Sequence, residues 1–171
     1  RLADDLPAGT PVTLIAAGLC QFIAPVLAPF DAAVLPLQIL DLAPFAQAAG
    51  LRSQIPEGIL ALLFAEEIIV ALVEDGRVLD HRLLPVSSMP TEDKILSFVL
   101  KESEALQRGA GRSGLVLVPI GPGATPSLLD ALSRQWEKVM VPPFFLDGAE
   151  VPPEFIPAVA LALRAARGEK E

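Results

Sequence analysis

The stretch GILALLFAEEIIVALVEDGRVLDHRLLP, Gly58 to Pro85, constrains the fold more than any other part of the chain. Three runs of aliphatic residues are separated by connections too short for anything but tight turns, and they read as strands over Gly58–Phe64, Glu67–Glu74 and Arg77–Leu84. The EDGR between the last two is an Asp-Gly hairpin turn. In the first two runs the Leu, Ile, Val and Ala residues do not alternate with polar ones, which is the pattern of strands buried on both faces.

The segments after this meander have helix and strand periods in turn. TEDKILSFVLKESEALQRG has Thr91 as a cap, Glu92 and Asp93 at the positive end, Gly109 at its close, and Ile95, Phe98, Val99 and Leu106 on one face. GLVLVPIG (Gly114–Gly121) is a buried strand, and PGATPSLLDALSRQWEKV follows as a loop and a helix from Pro126 to Val139, capped by Thr125. VMVPPFFL reads as a short strand and the amphipathic segment Pro153–Arg167 as the last helix. From Gly58 the order is βββαβαβα. Before it, Pro11–Gly18 and Val34–Leu40 read as strands, and Leu42–Ala49 reads as a helix ended by Gly50. The polar segment LRSQIPEG separates an α/β portion, 1–54, from the later portion, 55–171.

Composition limits the function classes. The 171 residues suffice for one sizeable domain or two small lobes. A net charge of −8 with no basic cluster repels nucleic acid and anionic lipid. The uncharged run Pro7–Phe30 is long enough for a membrane span, but Thr13, Gly18, Gln21, Pro25 and Pro29 interrupt it, and a buried strand with a short packed helix fits better. It lacks the basic start of a signal peptide. The single Cys20 excludes an internal disulfide and suits a reducing compartment, so the chain is expected in the cytoplasm.

Taken together, GILALLFAEEIIVALVEDGRVLDHRLLP, a helix, LVLVPIGPGATPSLLDALSRQWEKVMVPP and PPEFIPAVALALRA resemble the type IV pilus assembly protein M family and its relative, the cytoplasmic domain of type II secretion protein L. PIGPGATPSLLDALS is similar to that family's glycine loop and helix, EFIPAVALALR to its last helix, and LPLQILDLAPFAQAAGL to the stretch linking its two halves. The resemblance implies an actin-like, ribonuclease H-like α/β fold with a mixed sheet, in which the middle strand of the meander is antiparallel. Only the second half, with the end of the first, is matched.

ATP-binding members of that fold carry Asp-x-Gly and a hydroxyl residue between the first two strands, because phosphates need exposed backbone N–H groups and Mg²⁺ needs an acid. Here LLFAEEII has no glycine and no hydroxyl, and a phosphate would face Glu66 and Glu67. Those carboxylates read as a solvated hairpin turn, with a lone cation site as the alternative. In GPGATPS the resemblance places residual nucleotide contact at Gly121, Gly123 and Ala124; the other reading is a tight strand-to-helix turn, and Pro122 removes a donor. Cys20 with His81 and Asp80 would need to meet across the lobes to form a triad, and reads instead as a small core residue. One Cys and one His do not complete a zinc site, and Trp136 reads as core.

The resemblance implies a scaffold of a pilus or secretion platform, and the FAEE turn with the lone Cys and His adds the expectation that it is non-catalytic, with no metal and no ATP. Its partners would be the N-terminal cytoplasmic peptide of a bitopic inner-membrane protein and the hexameric assembly ATPase; a homodimer is open apart from the resemblance. A strand edge at Val12 and Leu14 is the expected peptide seat. The alternatives are an actin-like ATPase or kinase whose phosphate loop lies in a missing N-terminal part, and an unrelated α/β module.

Overall fold

The computed structural model describes residues 43–65, 67–86, 91–140, 144–146, 149–152 and 155–167. Internal contacts divide the chain into a unit of residues 1–40 and a unit of residues 41–171, and the described residues lie in the second. The expected peptide seat at Val12 and Leu14, the expected core residue Cys20, the apolar run Pro7–Phe30 and the carboxylate of Glu66 lie outside the described residues.

The three apolar runs form the meander. Strands β1 (Glu57–Leu63), β2 (Glu67–Glu74) and β3 (Arg77–Pro85) are successively antiparallel, and β4 (Leu117–Ile120) runs parallel to β1, giving the order β3-β2-β1-β4. The sheet is mixed, with β2 as its antiparallel member. Asp75 and Gly76 both have positive φ, 49° and 79°, which is what a two-residue turn matching the twist of a hairpin requires. At the other hairpin, Phe64 N–H donates to Glu67 O at 3.0 Å.

Strands β1, β2 and β4 are buried along nearly their whole length, so each face needs its own cover. On one face Leu60, Leu62, Ile69, Val73 and Ile120 pack with helices α1 (Ala43–Leu51) and α4 (Ile156–Arg167). On the other, Ile59, Leu63, Val70 and Leu72 pack with α2 (Glu92–Gly109) and α3 (Pro126–Gln135). Helix α1 thus shares the core of the strands, although the sequence places the boundary after it, at 54/55. The reason is that Ala48 and Leu51 are apolar and face the sheet.

Several boundaries differ from the expectation, each for a physical reason. Gly50 lies inside α1 without a positive φ and does not end the helix. It is a close-approach position, where a Cβ would stand 2.0 Å from Ala160 O on α4. Thr91 occupies the N-cap of α2 but makes no side-chain cap bond. VMVPPFFL is not one strand: Val139 forms a single parallel bridge to Leu117, and β5 (Phe144–Leu146) pairs with β6 (Ala149–Val151) in a separate two-stranded ribbon. Pro142 and Pro143 between them have no N–H to give to a ladder.

Helix α3 stops at Gln135, short of Val139, because Trp136 leaves the helical conformation and turns inward. Its Nε1–H donates to Leu115 O at 2.9 Å inside the core, as the core reading of Trp136 expects. Trp136→Phe orphans that carbonyl and, with a ring smaller than indole, leaves a void in the core, so a loss of about 2–4 kcal/mol is expected in urea unfolding, with an unchanged m-value.

Glu57 and Glu74 face each other across β1 and β2, an unfavourable like-charge pair on its own. Arg112 bridges them, Nη1 to Glu57 Oε1 at 2.6 Å and Nη2 to Glu74 Oε1 at 2.9 Å. Arg112→Ala is therefore expected to cost about 1 kcal/mol in low salt and less in high salt, read from urea midpoints.

Candidate functional site

The parallel strands β1 and β4 end side by side, the place where open α/β sheets hold ligands. Here the chain from Gly121 to Ser127 closes over the end of β1. Gly121 has φ +105°, and a Cβ there would stand 2.8 Å from Leu63 O. Gly123 N–H donates to that same carbonyl at 2.9 Å. Ala124 N–H donates to Gly121 O at 3.0 Å and Thr125 N–H to Gly123 O at 2.9 Å. Pro122 has no N–H. The structure thus brings Gly121, Gly123 and Ala124 together at the end of β1, with three consecutive amides of the loop bonded within the chain.

The positive end of α3 is occupied in the same way. Thr125 caps it, its Oγ1 accepting from Leu128 N–H at 3.3 Å. Glu92, in the first turn of α2, reaches across to this end. Its Oε1 accepts from Thr125 Oγ1 at 2.7 Å, and its two oxygens accept from Ser127 Oγ at 2.8 and 2.7 Å. A carboxylate of the chain therefore stands where a helix N-terminus offers a place to an anion.

The hydroxyls of Thr125 and Ser127 hold the Glu92 carboxyl below its ordinary value of 4.5. A depressed folded-state value stabilises the fold above the unfolded value, and this contribution is lost as pH falls through the folded one. Wild type is accordingly expected to exceed Glu92→Gln in stability at neutral pH, with the difference closing below about 4.5 in urea unfolding at stepped pH.

The sequence singled out Gly121, Gly123 and Ala124 but not the bond between Glu92 and Ser127, which spans 35 residues and has no local pattern. Glu67 begins β2 and is partly buried. His81 and Asp80 lie exposed on β3. Among the described residues no group of three or more His, Cys, Asp and Glu side chains is placed to hold a metal. No helix among them is long and apolar enough to cross a membrane.

No family model and no curated protein sequence matches the chain. Solved structures do. The ethanolamine utilization protein EutJ from Carboxydothermus hydrogenoformans superposes with a TM-score of 0.54 at 18% identity, over 81% of this chain and 60% of that one. The PilM-PilN type IV pilus biogenesis complex matches with a TM-score of 0.51 at 21% identity, over 83% of this chain and 57% of that one. The fold is the actin-like ATPase fold. The sheet is mixed, with the middle strand of the meander antiparallel to its neighbours, as the resemblance implies. The chain spans about 60% of the length of these neighbours.

Proposed function

We propose that this chain is a non-catalytic actin-like scaffold of a type IV pilus or type II secretion assembly platform, held at the cytoplasmic face of the inner membrane by its partners. The observation that carries the non-catalytic reading is the loop at the end of β1 and β4. The amides of Gly123, Ala124 and Thr125 are bonded inside the chain, and the adjoining helix end is taken by Glu92. A nucleotide there would have to break these bonds before making its own, and it would meet a carboxylate. The FAEE turn between β1 and β2 offers no glycine and no hydroxyl to compensate.

The direction toward a pilus rests on the motif resemblance, and the PilM of the PilM-PilN structure has the same fold. By that analogy the partner is the cytoplasmic N-terminal peptide of a bitopic membrane protein, with the hexameric assembly ATPase nearby. No nucleotide is required for either contact. Affinity capture with the full-length protein from its own cells tests this. Recovery of a bitopic pilus or secretion protein supports the scaffold. Recovery of neither, together with hydrolysis of Mg-ATP by the captured protein, would establish the rival reading, an ATPase or kinase whose phosphate loop lies in an N-terminal part.

A further inference from the structure

Strand β3 ends the sheet among the described residues, and its outer edge has an unusual pattern. Leu79 and Leu83 are 49% and 51% exposed, two of the four large exposed hydrophobic residues described. Between them lies Asp80-His81-Arg82. His81 is the register partner of Ala71, yet its N–H donates to Asp80 Oδ1 at 2.7 Å and its O accepts from Arg82 Nη1 at 2.8 Å. Both backbone groups of His81 therefore point away from β2, toward the open side. Arg82 Nη1 also donates to Asp80 Oδ1, at 2.6 Å, and Arg82 Nε stands 3.7 Å from Glu102 of α2. The two charged side chains close a clamp over the only part of the edge that lies between the exposed leucines.

Read in either direction, Asp80-His81-Arg82 complements itself as acid, histidine, base; Leu79, just before it, is the extra residue of a bulge, since Asp80 pairs with Leu72 and Val78 with Val73. An antiparallel pairing centred on His81 sets Asp80 opposite the partner's Arg82, and two-fold symmetry repeats the contact. The backbone groups of His81 would be satisfied by the partner's His81. Asp80 and Arg82, released from the clamp, would each find the opposite charge across the strands, so the exchange leaves no charge unpaired. An unrelated peptide would have to supply the acid and the base in this one register, whereas a second copy supplies both by symmetry. Edges are commonly blunted by charges against indiscriminate pairing. Here the blunting charges form the complementary pair of a specific one.

We propose that β3 is the seat of a two-fold dimer of this chain, formed by strand addition in the register that opposes His81 to the partner's His81. This stands apart from the scaffold reading, since either a scaffold or an ATPase could use it. The interface is small, so the dimer is weak and concentration-dependent.

Charge reversal tests it with the full chain, because Asp80 is half exposed, Arg82 a third exposed, and neither belongs to the core on either face. Sedimentation of the wild type across about 1 to 500 µM is expected to show a monomer–dimer equilibrium. Asp80→Arg alone and Arg82→Asp alone each put like charges opposite one another, and each is expected to weaken dimerisation at least tenfold. An equimolar mixture of the two variants restores opposite charges at every cross-strand position, and is expected to recover a heterodimer. A wild type that stays monomeric across this range overturns the proposal. So does a dimer that neither reversal weakens, which puts the interface elsewhere, or a mixture that stays monomeric, which contradicts the register.

Discussion

Gly50→Ala is expected to lower stability by about 3 kcal/mol, a fall of about 6–12 °C in melting temperature for a chain of this size. Helix propensity alone predicts the opposite sign, a gain of about 1 kcal/mol, because glycine inside a helix is unfavourable. The geometry decides. The added Cβ would stand 2.0 Å from Ala160 O and 2.6 Å from Ala160 C, and both are backbone atoms. No rotamer change relieves such a contact, so α1 and α4 must move apart. Gln47 Nε2 donates to Pro157 O at 3.1 Å across the same contact and would be lost with the separation. Thermal melts of the wild type and variant read the effect directly, and a stabilised variant would show that the two helices are not packed backbone to backbone.

Gly121→Val is expected to cost about 4 kcal/mol. A side chain at φ +105° is strained by about 1–3 kcal/mol before any contact is counted, and its Cβ would approach Leu63 O to 2.8 Å. Gly123→Ala is the internal control. Gly123 has no positive φ and its nearest contacts are 3.1 Å, so a loss of about 1 kcal/mol is expected there. Urea unfolding of the two variants separates two origins for the glycines. If the loop exists to close the end of β1, stability falls and Gly121 dominates. If the glycines serve only to let a ligand approach, Gly121→Val loses no more than the strain of its φ, and Gly123→Ala is neutral.

The meander was legible because its signals are local. Aliphatic runs, an Asp-Gly turn and a helix bounded by Glu92 and Gly109 are each written in neighbouring residues, and β2 spans Glu67–Glu74 as read. Gly50 was misread because a helix-ending glycine and a close-approach glycine look alike in sequence; only the position of Ala160, 110 residues away, separates them. VMVPPFFL was misread because an apolar run carries no mark of which strand it will meet. At the site, the glycine loop was visible as a loop, and the resemblance placed it beside a ligand. Its bonding to Leu63 and the reach of Glu92 to Thr125 and Ser127 join elements far apart in the chain, and no periodicity encodes them.

Titration of the full chain with Mg-ATP, followed by calorimetry and by melting temperature, tests most directly whether the crevice at the ends of β1 and β4 is closed from within. Binding to the folded state would stabilise it by about 2.7 kcal/mol at a hundredfold excess over the dissociation constant. With the amides of Gly123, Ala124 and Thr125 bonded inside the chain, the expected result is no saturable heat and an unchanged melting temperature at millimolar Mg-ATP. A saturable heat with a concentration-dependent rise in melting temperature, both abolished by Gly123→Ala in a variant that remains folded, would contradict it.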